Sequence, residues 1–213
     1  MLGCITYRGR DNLAKTKKKS KSQDYDKVFM MFSLVLGMLF GWISADSAGV
    51  PYVSEVLANV GIWMFTASLI SIYSKTGIQA ILHNIIFYAG GIVMYAAHMT
   101  FLSGMPDFRF LIYRCVLAFI GSLIGFITWN ALQPQWLGAI SGAVPVSLIL
   151  AEGFPIIYSR SAVLAFDVVL AVALFFILLR GRERKLMAIP FVLAFTFAGV
   201  YFDIFSKLFG GWI

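Results

Sequence analysis

Two short acids, Glu152 and Asp167, stand inside stretches that are otherwise almost wholly apolar. A carboxylate is expensive to place in a hydrocarbon span, and such a residue marks a site by default. His98, Arg114 and Asp203 share that setting. Long cations near a span end can snorkel to the interface, whereas short acids do so poorly. Asn59 and Tyr95 add polar and aromatic groups of the kind that line small-molecule pockets. Glu152, Asp167, Arg114, His98, Tyr95, Asn59 and Asp203 are therefore the candidate ligand-binding set. The same residues could instead hold helices together, with Arg114 paired to Asp167 or Glu152. Asp203 could likewise pair with Lys207, four residues on.

Catalytic chemistry finds little support. The chain has no HExxH, GxSxG or Walker A pattern, and its two histidines lie apart. Its two cysteines, Cys4 and Cys115, cannot hold a metal, and no disulfide between them is expected. Asp167 and Asp203 lack the flanking motifs of an intramembrane aspartyl protease. Neither enzymatic activity nor a cofactor nor a metal is expected.

The elements that position these residues follow from composition. The chain has 213 residues, 60% of them apolar and only 13% charged. That charged share is about half the usual value for a soluble domain. The pattern predicts an all-α fold, a polytopic transmembrane helix bundle of seven spans. These run over about 28–45, 56–73, 78–102, 110–132, 136–158, 162–179 and 186–209. The fifth carries Pro145, Glu152 and Pro155, so its neighbours must shield it. Were it re-entrant, the crossings would number six.

Helical spacing sorts the side chains into faces. Gly37, Gly41 and Ala45 make a smooth face on the first span. Asn84, Tyr88, Gly91, Tyr95 and His98 make one stripe on the third. Arg114, Ala118, Gly121, Gly125 and Thr128 share a face on the fourth. Gly138, Ser141, Gly142, Pro145 and Glu152 line up on the fifth, and Thr196, Gly199, Asp203 and Lys207 on the seventh. Gly37, Gly41, Gly121, Gly125, Gly138 and Gly142 read as helix-packing positions.

Residues 1–27 form a basic tail, with five lysines in LAKTKKKSKS. Such a segment is expected to be disordered and to lie along anionic lipid headgroups of the cytoplasmic leaflet. The net charge of +7 flanks apolar spans, which is a topology signal and not a nucleic-acid footprint. With the N-terminus inside, the tail, Lys75 and RGRERK (180–185) hold 8 + 1 + 4 = 13 of the 17 Lys and Arg on the cytoplasmic side. Ser44-Ala45-Asp46 and Asp46-Ser47-Ala48 imitate cleavage sites, but the basic leader is too long for a signal peptide, so the first span reads as an uncleaved anchor. This orientation gathers His98, Arg114, Glu152, Asp167 and Asp203 in the outer leaflet, roughly 6–9 Å from the span ends. An outward-facing polar pocket lined by spans two to seven would explain that pattern.

Two resemblances add to this reading. LANVGIW (57–63), the tyrosine-bearing third span and GAISGAVPVSLILAEG (138–153) resemble small bacterial multi-pass proteins classed as a domain of unknown function. The size, basic tail, glycine-faced first span and outer polar cluster are similar to the substrate-binding S-components of energy-coupling factor transporters. That second likeness implies a vitamin or metal captured from outside and a separate membrane partner subunit, although that family has six spans. The combined expectation is a plasma-membrane protein that binds or transports a small solute. The competing expectation is a non-catalytic scaffold.

Overall fold

The computed structural model describes residues 25–45, 53, 56–57, 59–104, 108–159 and 162–202. The basic tail to residue 24, Glu55, Arg160, Asp203 and Lys207 lie outside the described residues. Within them the chain is an all-α helical bundle without strands. Helix α1 spans Tyr25–Ala45. It is followed by α2 (Val60–Tyr73), α3 (Gly77–Ser103), α4 (Phe108–Trp129), a 3-10 turn (Asn130–Leu132), α5 (Gln135–Gly153), the short α6 (Ile156–Ser159), α7 (Ala162–Leu178) and α8 (Arg182–Tyr201).

Local chemistry sets several boundaries. Thr76 caps α3, its hydroxyl accepting the Gln79 N–H at 3.2 Å. Gly104 stops the same helix at φ 87°, a conformation that strains other residues. The fifth span was expected to run to Tyr158, but α5 ends at Gly153. Pro155 has no N–H to give the carbonyl four residues back, so the chain turns before α6 begins. The basic hexapeptide, which the expected spans 162–179 and 186–209 leave between them, is mostly helix. Gly181, at φ 96°, is the true boundary, and Arg182 to Lys185 form the first turn of α8. Arg, Glu and Lys are good helix formers, so nothing delays the start. Pro190 therefore lies inside α8 and not in its first turn. The first helix likewise begins at Tyr25, three residues before the expected start.

Helix α5 is the central element. It packs against α2, α4, α7 and α8. Its small residues, Gly138, Ala139, Ser141, Gly142 and Ala143, are all buried. Gly142 faces Leu179, at the end of α7, while Gly138 abuts the Gln133 carbonyl of the turn before its own helix. Thr196 and Gly199 of α8 meet Ser147 and Ala151 of α5. On one side of α2, Met64 joins a core with Val146, Ile149, Leu170, Leu174 and Val192. On its other side, Trp63 and Ile70 pack with Phe87 and Tyr88 of α3, backed by Phe29, Leu36 and Phe40 of α1. Helix α1 reaches α3 through glycine. A Cβ at Gly37 would overlap the Phe87 carbonyl, and one at Gly41 would overlap the Gly91 backbone.

Among the described residues five helices are long and apolar enough to cross a membrane: Tyr25–Ala45, Gly77–Leu102, Leu111–Leu132, Gln135–Gly153 and Arg182–Tyr201. Their outer faces leave Phe101, Phe119, Leu193 and Phe197 exposed, as lipid-facing side chains are. These are the helices of a membrane-embedded protein. Helices α2 and α7 are apolar but shorter, at 14 and 17 residues. The second span was expected to start at Val56, four residues before α2 begins.

Candidate functional site

Helix α2 begins at Asn59, which is extended at φ −77° and ψ 147°. Asn59 Oδ1 accepts the Val60 N–H at 3.1 Å. Glu152 Oε1, from the last turn of α5, accepts the same N–H at 2.9 Å. Asn59 Nδ2 donates to Asp167 Oδ2, on α7, at 2.5 Å. One residue on, a Cβ at Gly61 would overlap Asp167 Oδ1 and lie 3.2 Å from Glu152 Oε2. Three helices thus deliver two carboxylates and an amide to the first turn of α2.

The carboxylates are held by dipoles. A helix N-terminus carries roughly half a positive charge and unpaired N–H groups, which favour anions. Asp167 is 1% exposed. Glu152 Oε2 is buried and makes no hydrogen bond. Among the described residues neither acid belongs to an ion pair. Two ionised carboxylates would bring two negative charges against about half a positive one. Buried charge left without a partner is costly. The arrangement can take up positive charge, as a proton or as a cationic group; among the described residues no group of three or more His, Cys, Asp or Glu assembles to hold a metal.

The remaining sequence candidates fall elsewhere. Arg114 lies over the Tyr95 ring, 5.3 Å from its centroid, and does not pair with either acid. This contact belongs to the α3–α4 interface. There Gly121 accommodates Tyr88 and Gly125 accommodates Asn84, so the predicted α4 groove receives the α3 stripe. The stripe itself divides. Gly91 turns to Trp63 and the α1 backbone, and His98 meets Trp42 of α1 edge-on at 6.3 Å. Asn59, Glu152 and Asp167 converge; Tyr95 with Arg114 and His98 with Trp42 form two other contacts. Asp203 lies outside the described residues.

Two members of the site escaped the sequence reading: the Val60 N–H and Gly61. A signal for them exists. Asn followed by an apolar run is a helix start. Reading the second span from Val56 placed Asn59 inside a helix and hid the N-terminus it caps. No family model, curated protein or solved structure matches the chain.

Proposed function

We propose that the chain is a multi-pass protein of a bacterial-type plasma membrane that binds or transports a small solute bearing positive charge. Asn59, Glu152 and Asp167 form its recognition site. The observation that carries this reading is the convergence of two buried carboxylates on one helix N-terminus, with no ion-pair partner for either among the described residues. The Lys and Arg count supports seven crossings with the N-terminus and the start of α8 inside, and hence a site opening to the outside. Outward capture is also what the expected resemblance to transporter S-components would imply, together with a membrane partner subunit that supplies energy. The protein itself turns over no substrate.

The test is a thermal-shift titration in detergent, with inorganic and organic cations at constant ionic strength. Saturable stabilisation by one cation class, lost in Asp167→Asn, supports the proposal. A second reading has its own observation: Asn59 and Glu152 cap α2 and so tie three helices together. On that scaffold reading no cation stabilises the protein saturably, and Asp167→Asn raises its melting temperature by relieving like charge.

A further inference from the structure

The two acids at the head of α2 are not held alike. Asp167 Oδ2 has the Asn59 amide N–H to itself. Glu152 Oε1 shares the Val60 N–H with Asn59 Oδ1, and Glu152 Oε2 is buried with no hydrogen bond. The other oxygens of the pair border one gap. The point that a Cβ at Gly61 would fill touches Asp167 Oδ1 and lies 3.2 Å from Glu152 Oε2. Glycine leaves that point open.

Charge decides what the gap can hold. The half positive charge of the α2 N-terminus can offset at most one carboxylate, and Asp167 has its own donor as well. A second carboxylate, buried and facing the first, costs far more than a neutral acid. Among the described residues, Asp167 of α7 is the charged group that bears on Glu152. Helix α2 presents Asn59 and Val60 to the acids, and α8 sets Gly199 against Ala151; none of these titrates. Tyr201 of α8 is 72% exposed and stacks on Phe197. On α4, Arg114 is engaged over the Tyr95 ring, and Tyr113 and Cys115 are exposed.

We infer that the resting pair holds one proton, on Glu152 Oε2, and that capture of a solute is an exchange for that proton. This exchange presupposes the solute reading of the same site. Glu152 breaks its O–H bond and keeps the electron pair. The proton passes to the outer solution, and the cationic group takes its place beside two ionised carboxylates. The pair and its occupant carry one net negative charge before and after. The captured part of the solute therefore bears a single positive charge, and its affinity falls as protons become more available.

The chain has three glutamates, Glu55, Glu152 and Glu183. Full-length protein made with carbon-13 in the glutamate side-chain carboxyl, and held in nanodiscs, gives a carboxyl signal for each. The position of a signal separates acid from carboxylate. The Glu152 signal is the one lost in Glu152→Gln. If that variant does not fold, it is the one retained when Glu55→Gln and Glu183→Gln are combined. At about pH 7, where an exposed glutamate is ionised, Glu152 should be the acid. Sodium, potassium and ethylammonium chlorides are then titrated in, each replacing N-methylglucamine chloride at constant ionic strength. The cation that raises the melting temperature saturably should convert Glu152 to the carboxylate over the same concentration range. Its midpoint should rise about tenfold between about pH 7 and about pH 6, one proton for one cation. A Glu152 that is already a carboxylate before any of these cations is added overturns the inference. So does saturable stabilisation with an unchanged Glu152 signal and one midpoint at both pH values, a result that leaves the solute reading standing. A protonated Glu152 with no stabilising cation sinks the solute reading, and the exchange with it.

Discussion

Replacing Gly61 with alanine should destabilise the protein, although a helical glycine normally gains from that change. Alanine in a helix interior is favoured over glycine by about 1 kcal/mol. Against it, the new Cβ would occupy the place of Asp167 Oδ1 and come 2.9 Å from Asp167 Cγ. That side chain is short, fully buried and anchored to Asn59, so it cannot turn aside without breaking its hydrogen bond. A hydrogen bond to a charged group is worth about 1.5–3 kcal/mol. The net loss should be about 0.5–2 kcal/mol, taking one figure from the other. Reversible unfolding in mixed micelles measures it. The decisive comparison is Gly61→Ala in an Asp167→Ala background. With the carboxylate gone, the same methyl should stabilise by up to about 1 kcal/mol. The coupling between the two positions should then exceed about 1 kcal/mol, well above the scatter for independent sites. A stabilising Gly61→Ala in the parent protein, or additive effects in the double variant, would refute the convergence of acids on the first turn of α2.

Three further outcomes follow from other contacts. Asn59→Ala removes the cap of α2 and the amide partner of Asp167, and should cost about 1–3 kcal/mol in the same unfolding assay. Gly41→Leu drives a side chain into the Gly91 backbone; it should detach α1 from α3, read as a lost crosslink by a short bifunctional thiol reagent between cysteines in place of Trp42 and His98, whose rings meet across the two helices. A reporter fused to the C-terminus should face outward and one inserted at Arg182 inward, and two cytoplasmic reporters would exclude seven crossings.

Much of the bundle was legible because bilayer solvent demands long apolar helices, and because small residues mark close approach. The glycine faces at Gly37 and Gly41, and at Gly121 and Gly125, meet backbone or side chains of α3. Polarity inside apolar stretches likewise singled out Glu152, Asp167 and Asn59. Their meeting was not legible. Asn59 and Asp167 lie 108 positions apart, and periodicity within a helix does not say which neighbour it faces. The supposed pairing of Arg114 with Asp167 or Glu152 failed for the same reason, since Tyr95 was an equally available partner. The α3 stripe was drawn too broad. Residues three and four apart share a helix side, but three neighbours divide that side among themselves.

The shortness of α2 has an electrical consequence. Fourteen residues reach about 21 Å, against a hydrocarbon thickness of about 30 Å. Carboxylates sit at one end and the imidazole of His83 lies close to the other. If water penetrates to those polar ends, the voltage across the membrane falls over about 21 Å and not 30 Å, a field about 1.4 times stronger. A unit charge carried the length of α2 would then traverse nearly the whole potential, about 2.3 kcal/mol for each 100 mV. Occupancy of the acidic end would then respond to the energisation of the cell as well as to concentration.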